Sequence, residues 1–465
     1  MHRQASRAAG VRRNRPVHAS TSPGYTLPRA ASAPGSATRA GRSRTSTLRQ
    51  FRILSARNLK ILSRDRASLI LMLAVAPLVG LLDVVLAVAL GRDLFDYQNG
   101  NMAKVITSMF MPLMYAILVG SISQMREFVK EKEIFRRERL VNLRVFPYVL
   151  SKVWVAGMFA LYQAACFTVI HYLSFKMPGG APEFFLFYLT MFLVVFSGMM
   201  LGLLGSSLAP NANAAPLLVI LLIVPQLVMA GALIPLPGAV TGFTTTRWAF
   251  EVLVGISGVG SDVAADSCWE LPEELRDEMD LEMKSSANCR CMGINALRRE
   301  SCEFPGIGKF YDPSIDQPEP VEPEPIGDPP LEPDLPPAPD QPSDQTDQVA
   351  MANFFQQMQD YQDEVEQIQE QYKRQIEDYQ ALADVYQAEA IAYQEDLARW
   401  EIDRNAAVGK AEGLIDSFNE DFRWAFVDKS DADVYWPKLS TAWGMQLVFQ
   451  SVCLGLIMFL MVRKR

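Results

Sequence analysis

The sequence predicts an all-α integral membrane protein of six transmembrane helices, with a large extracytoplasmic insert, a Pro-rich strut plus a coiled coil, between spans five and six. Three observations lead there. Stretches near 67–90, 104–123, 147–175, 183–206, 214–236 and 442–462 each approach the roughly 20 apolar residues that a bilayer core of about 30 Å requires. A mean hydropathy of +0.07 in a chain that is 21% charged means that very apolar segments alternate with very polar ones. The charge is segregated as well: residues 237–440 hold 43 of the 52 Asp and Glu but 15 of the 44 Lys and Arg, a formal −28 against +20 elsewhere.

Residues 1–48 contain no acid and no apolar signal core, and read as a disordered basic tail or an untranslated upstream extension. With no aromatics interleaved among its arginines, nucleic acid is not an expected partner. Residues 49–66 place Phe51, Leu54, Leu59 and Leu62 among many bases, the pattern of a connecting helix lying in the membrane interface. Spans one to five then fill 67–236. Backbone amides find no water inside a bilayer, so the spans must be helical. The tail, the 124–146 connector and the terminal Arg463-Lys464-Arg465 are all basic, and with six spans all three fall on one side. The positive-inside rule makes that side the cytoplasm, of a plasma or inner membrane, and leaves 237–440 outside.

The insert divides into a Cys-containing membrane-proximal region, 237–312, a Pro/acid-rich linker, 313–349, and a coiled-coil helix with a return segment, 350–440. Residues 313–342 include 12 prolines, which dictates extended polyproline II. Between 350 and 427, Met358, Val365, Tyr372, Tyr379, Tyr386, Tyr393 and Trp400 recur every seven residues. Tyr361, Ile368 and Leu382 partly fill the companion seam, which Gln375, Glu389 and Asp396 interrupt. The strut at ~3.1 Å per residue and the helix at ~1.5 Å per residue both reach about 90 Å, so one runs outward and the other returns. Paired with its copy in a second protomer, that helix would form a stalk open to an extracytoplasmic partner; left alone, it would be a solvated charged helix.

No GxxxxGK[ST], GxSxG or HExxH pattern occurs, so no catalytic residue is assigned and no ATP hydrolysis is expected on this chain. With three His, a His-built metal or catalytic site is not expected. Cys268, Cys289, Cys291 and Cys302 share the oxidising compartment and are disulfide candidates. Cys289 and Cys291 stand too close to pair comfortably, so each is expected to bond Cys268 or Cys302. Zinc is the rival, against which the CxC spacing speaks. Asp83 inside span one is a translocation-path candidate because an intramembrane carboxylate is costly, or else it pairs locally. Pro225 and Gln226 are further path candidates, although Gln226 could equally bond a neighbouring helix.

The most informative segment is the connector QMREFVKEKEIFRRERLVNLRVFPYVLSK, 124–152, too charged to be a mere linker. It predicts a surface helix with Ile134 and Phe135 as an apolar contact among Glu133, Arg136, Arg137, Glu138 and Arg139. Glu133, Phe135, Glu138 and Arg139, followed by Tyr148 and Ser151-Lys152, resemble the connector after the second span of ABC-2-type exporter permeases of the G (White) subfamily. Arg57-Asn58 and Arg64-Asp65-Arg66 resemble that family's connecting helix. Pro225-Gln226 with Gly231 resembles its fifth span, and Thr246-Arg247-Trp248-Ala249-Phe250-Glu251 its re-entrant segment. The likeness covers about 49–257 and 441–465.

It implies a homodimeric permease with a path between two sets of six spans, moving a lipid or other amphipathic molecule. Coupling to an ABC ATPase subunit on a separate chain, which carries the ATP and Mg, would run through Glu133, Ile134, Phe135, Arg136, Glu138 and Arg139. The proline strut and long coil exceed that subfamily's usual loop, so the substrate does not carry over. The alternative is an envelope scaffold whose spans anchor a partner-binding stalk or relay force. An ion-coupled carrier is disfavoured, since no inverted repeat is visible.

Overall fold

The computed structural model describes residues 46–141, 143–234, 238–343 and 348–464. The expected basic tail lies outside them but for its last three residues, as do residues 344–347 of the linker. Among the described residues every regular element is helical. The chain opens with α1 (Thr47–Arg64), α2 (Arg66–Leu90) and α3 (Met102–Gln124). The connector folds as α4 (Glu127–Lys130) and α5 (Lys132–Leu140), followed by α6 (Val145–Ser174), α7 (Ala181–Leu208) and α8 (Ala215–Val228). Short helices α9 (Gly238–Thr241), α11 (Ser261–Ala265), α12 (Glu273–Asp277) and α13 (Leu281–Ser286) surround α10 (Thr245–Ser257) and the segment after it. The chain ends with α14 (Gln348–Phe422) and α15 (Ala432–Arg463).

Among the described residues five helices are long and apolar enough to cross a membrane: Leu69–Leu90, Met102–Lys130, Val145–Ser174, Ala181–Leu208 and Ala432–Arg463. The protein is an integral membrane protein. The stretch expected as a fifth span, 214–236, differs. It forms a helix of only 14 residues, Ala215–Val228, about 21 Å long. Gly231, with φ of 80°, stops it. A Cβ there would also press on the Trp424 ring, 2.9 Å away, so both the backbone and the space call for glycine. Beyond this turn α10 is buried on nearly every side, an all-round burial unlike an interfacial helix.

The helical core is tightest between α3 and α7. A Cβ on Gly198 or Gly202 would lie 2.6 Å from Ile117 O or 2.3 Å from Ser121 O, and one on Gly120 would lie 2.5 Å from Val195 O. Ser121 Oγ donates across the contact to Gly198 O at 2.8 Å. Gly198-x-x-x-Gly202 thus lets two backbones approach where lipid supplies no hydrophobic drive, and packing and interhelical hydrogen bonds hold the helices together.

The insert is built on two disulfides, Cys268–Cys289 and Cys291–Cys302. Buried Asp266 accepts from the backbone N–H groups of Cys268, Arg290 and Cys291, pinning the loop between them. With both sulfurs beside it already bonded to each other, Asp266 does not complete a metal set. The base of α14 packs here through Val408, Ala411, Ile415 and Phe422, with Lys284–Glu412 and Arg276–Asp416 ion pairs, each at 2.8 Å, on its flank.

Above that base, the long helix and the strut shield each other. In the strut, Pro320, Pro323, Ile326, Pro330, Pro333, Pro336, Pro339 and Pro342 are half-buried and the residues between them exposed. That is the three-residue period of polyproline II, shifted once at Gly327. On α14 the half-buried stripe runs Met351, Phe354, Met358, Tyr361, Val365, Ile368, Tyr372, Ile376, Tyr379, Ala383, Tyr386, Ala390, Tyr393, Leu397 and Trp400. Trp400 Nε1 donates to Gln317 O at 2.9 Å, joining the foot of the strut to the helix. From there to the turn, 27 residues of polyproline II span about 84 Å, and 53 residues of helix span about 80 Å. The two run antiparallel as one arm. This corrects the seam read from the sequence. Past Tyr372 the companion row does not run through Gln375, Glu389 and Asp396, nor through exposed Leu382. It steps by one residue to Ile376, Ala383, Ala390 and Leu397, because a helix of 3.6 residues per turn drifts against a strict heptad.

Candidate functional site

The connector turns a loop of alternating charges into a fixed platform. Phe135 is buried under α5, its ring 4.9 Å from that of Tyr148 on α6, and Phe128 flanks Tyr148 at 6.0 Å. Ile134, expected beside Phe135 as part of one apolar contact, points the other way and is 46% exposed. One residue along a helix is a turn of about 100°, so the two cannot face the same neighbour. Glu133, Arg136 and Arg137 share the outward face with Ile134, and Leu140 and Val141 extend it.

Four elements hold the platform from behind. The ammonium of buried Lys152 on α6 lies 3.1 Å from Glu127 and 2.7 Å from Glu131, and Tyr148 donates to Glu131 at 3.0 Å. A buried ammonium is tolerated only when paired and hydrogen-bonded, and two carboxylates meet that need. Ser206 Oγ on α7 accepts from the backbone N–H of Phe128 at 2.9 Å. From α1, Arg57 pairs with Glu138 at 2.5 Å, while Asn58 donates to Ser151 Oγ at 3.1 Å. Arg139 donates to the carbonyls of Met461, Val462 and Lys464, capping the C-terminal end of α15. A cation at that end also meets the negative pole of the helix dipole. The structure therefore brings Phe135, Glu138 and Arg139 into the body of the protein and leaves Glu133, Ile134 and Arg136 outside.

The path candidates Asp83, Gln226 and Pro225 lie among the helices of the core. Asp83 is fully buried between α2, α3 and α6. It accepts from Tyr115 OH, and His171 Nδ1 lies 3.0 Å from its other oxygen. Gln226 ties α8 to α10: its Oε1 accepts from Thr245 N at 2.9 Å, and its backbone carbonyl accepts from Thr246 Oγ1. Pro225 is half-buried beside it. Within α10, Arg247 pairs with Glu251 at 2.8 Å and its guanidinium lies between the rings of Trp248 and Trp424, 4.4 and 4.6 Å from their centroids. Glu127 and Glu131 were not singled out by the sequence reading. Two acids four residues apart at the end of one span, answering a lone Lys at the start of the next, were the signal.

Residues 49–253, which take in the connector, nearly all of the supporting helices α1, α6 and α7, and the first nine residues of α10, match the ABC-2 type transporter family. This segment is similar to the ABC-2 type transporter membrane domain. A curated relative, an ABC transporter ATP-binding/permease protein of Mycobacterium tuberculosis, is 31% identical over 221 residues. The match takes in 44% of this chain and 25% of the relative, so the chain spans about a quarter of the protein it resembles. The match takes in the helical core as far as α10. The disulfide region and the arm lie after the matched residues.

Proposed function

We propose that the chain is the permease part of an ATP-binding-cassette exporter of G-subfamily type, moving a lipid or other amphipathic molecule along a path between two copies. The observation that carries this reading is the wiring of α5. Its outer face presents Glu133, Ile134, Arg136, Arg137 and Leu140, while Glu138 and Arg139 bond it to α1 and α15 and, just before it, Glu131 and Phe128 bond the connector to α6 and α7. Displacement of such a helix by a closing ATP-binding subunit is delivered to several spans at once, because packed elements move as bodies rather than deform. The relative's name joins ATP binding and permease in one protein. In this reading the ATP and Mg chemistry belongs to a partner subunit, and the connector faces the cytoplasm with both termini, as the distribution of bases requires.

Photo-crosslinking tests the assignment. A photoreactive amino acid at position 134, 137 or 140 is expected to capture an ATP-binding subunit in membranes, whereas the same probe at exposed position 382 on the arm is not. Equal capture from both positions, or none from the connector, overturns it. The arm supports a second role added to the first: a rigid extension of about 80 Å outside the membrane is more than a transport path needs, and it offers a surface for an extracytoplasmic partner.

A further inference from the structure

Next to the platform lies a cavity of about 120 Å³ that coupling does not explain. Lys132, Arg136 and Lys464 line it, over an apolar floor of Phe128, Phe135 and Met461. Lys132 Nζ donates to Pro210 O at 3.0 Å and Lys464 Nζ to Ser207 O, both at the C-terminal end of α7. The dipole of α7 explains why two ammonium groups point there. Each ammonium carries three donors, however, so one carbonyl apiece leaves others facing the cavity. Among the described residues no carboxylate lines it. Glu133, which pairs with Arg136 at 3.2 Å, is itself 73% exposed on the outward face. Burial, followed by the charges of Lys132 and Arg136, pushes the Lys464 ammonium below its ordinary pKa. Among the described residues three cations thus converge, with only Arg136 paired to a carboxylate, Glu133 on the outward face, an arrangement that an anion would relieve.

We propose that this cavity binds the phosphate of an anionic phospholipid. Its volume is that of about four waters, enough for a phosphate group. It sits where two membrane helices, α7 and α15, end together, which is headgroup depth. Basic pockets between membrane helices at that depth recognise acidic headgroups, and the apolar floor suits the glycerol end of the lipid rather than a free anion. The site requires neither an ATP-binding partner nor a particular sidedness, so it stands apart from the permease reading.

Native mass spectrometry of the full chain in mild detergent tests it, with phosphatidylglycerol, phosphatidylcholine and inorganic phosphate as separate probes. The wild type is expected to retain phosphatidylglycerol over phosphatidylcholine. Lys132→Gln/Lys464→Gln, which keeps a donor for each carbonyl, is expected to lose that affinity by roughly 25-fold, about five-fold per charge. Arg374→Gln, far out on the arm, is expected to leave it unchanged. Should the double variant fold poorly, exposed Arg136→Gln carries the same test, with a loss of about five-fold. Unchanged retention in the variants, or equal retention of phosphatidylcholine, overturns the proposal. Inorganic phosphate displacing the lipid at equal concentration overturns the choice of a lipid over a free anion.

Discussion

Lys152 is the residue on which the connector depends most. Its ammonium is 4% exposed and satisfies two carboxylates that are themselves largely shielded. Lys152→Met is expected to lower unfolding stability by about 3–5 kcal/mol, because it strands two partly buried negative charges. Lys152→Met with Glu127→Gln and Glu131→Gln is expected to recover most of that loss, since removing a whole buried ionic group is often near neutral. Thermal unfolding of the detergent-solubilised variants measures both; a single variant as stable as wild type would show the network to be idle. The sequence exposed the residue types here but not their partners. Glu131 and Lys152 are 21 positions apart, and Asp83 finds His171 at a separation of 88 and Tyr115 at 32. Such pairs depend on which helices become neighbours, and periodicity within one helix carries no information about that.

At the scale of elements, apolar length located the spans because the bilayer imposes a single length on all of them. The fifth stretch forms a shorter helix than the others, because Gly231 and the bonds of Gln226 to α10 turn the chain before the apolar run ends. The heptad was legible for the same kind of reason: a stripe records that something covers it. It did not record what. A seam of tyrosines every seven residues fits a second helix and a polyproline strut alike, and here the strut supplies the cover. Tyr372→Ala/Tyr379→Ala/Tyr386→Ala is expected to free the strut, since aromatic contacts are worth about 0.5–1.5 kcal/mol each beyond the area they bury. Spin labels at 334 and 384, on opposite members of the arm, are expected to give one narrow distance distribution in wild type and a broad one in the variant. A narrow distribution in both would mean that the rings do not hold the strut.

The whole molecule consists of a helical membrane core, a charged platform fixed to one end of it, and a disulfide-braced base carrying a long acidic arm. The ABC-2 match covers the platform and the core as far as α10, without α15, and stops before the base. Most of the core and the platform are thus what this chain has in common with the matched family, and the base and the arm lie beyond the matched segment. Placing α5 between the spans and a motor makes the connector's outer face the point where the account can fail. The most direct test is co-purification of the full chain from native membranes, scored for ATP turnover, comparing wild type with Ile134→Asp/Arg137→Glu. Both positions are exposed, so the variant is expected to keep its elution volume and unfolding midpoint while losing the associated ATP-binding subunit and at least 10-fold of the turnover, the minimum that a change of about 1.4 kcal/mol in binding produces. An ATP-binding subunit that remains bound and active on the variant, or ATP turnover absent from the wild-type preparation, would contradict the account.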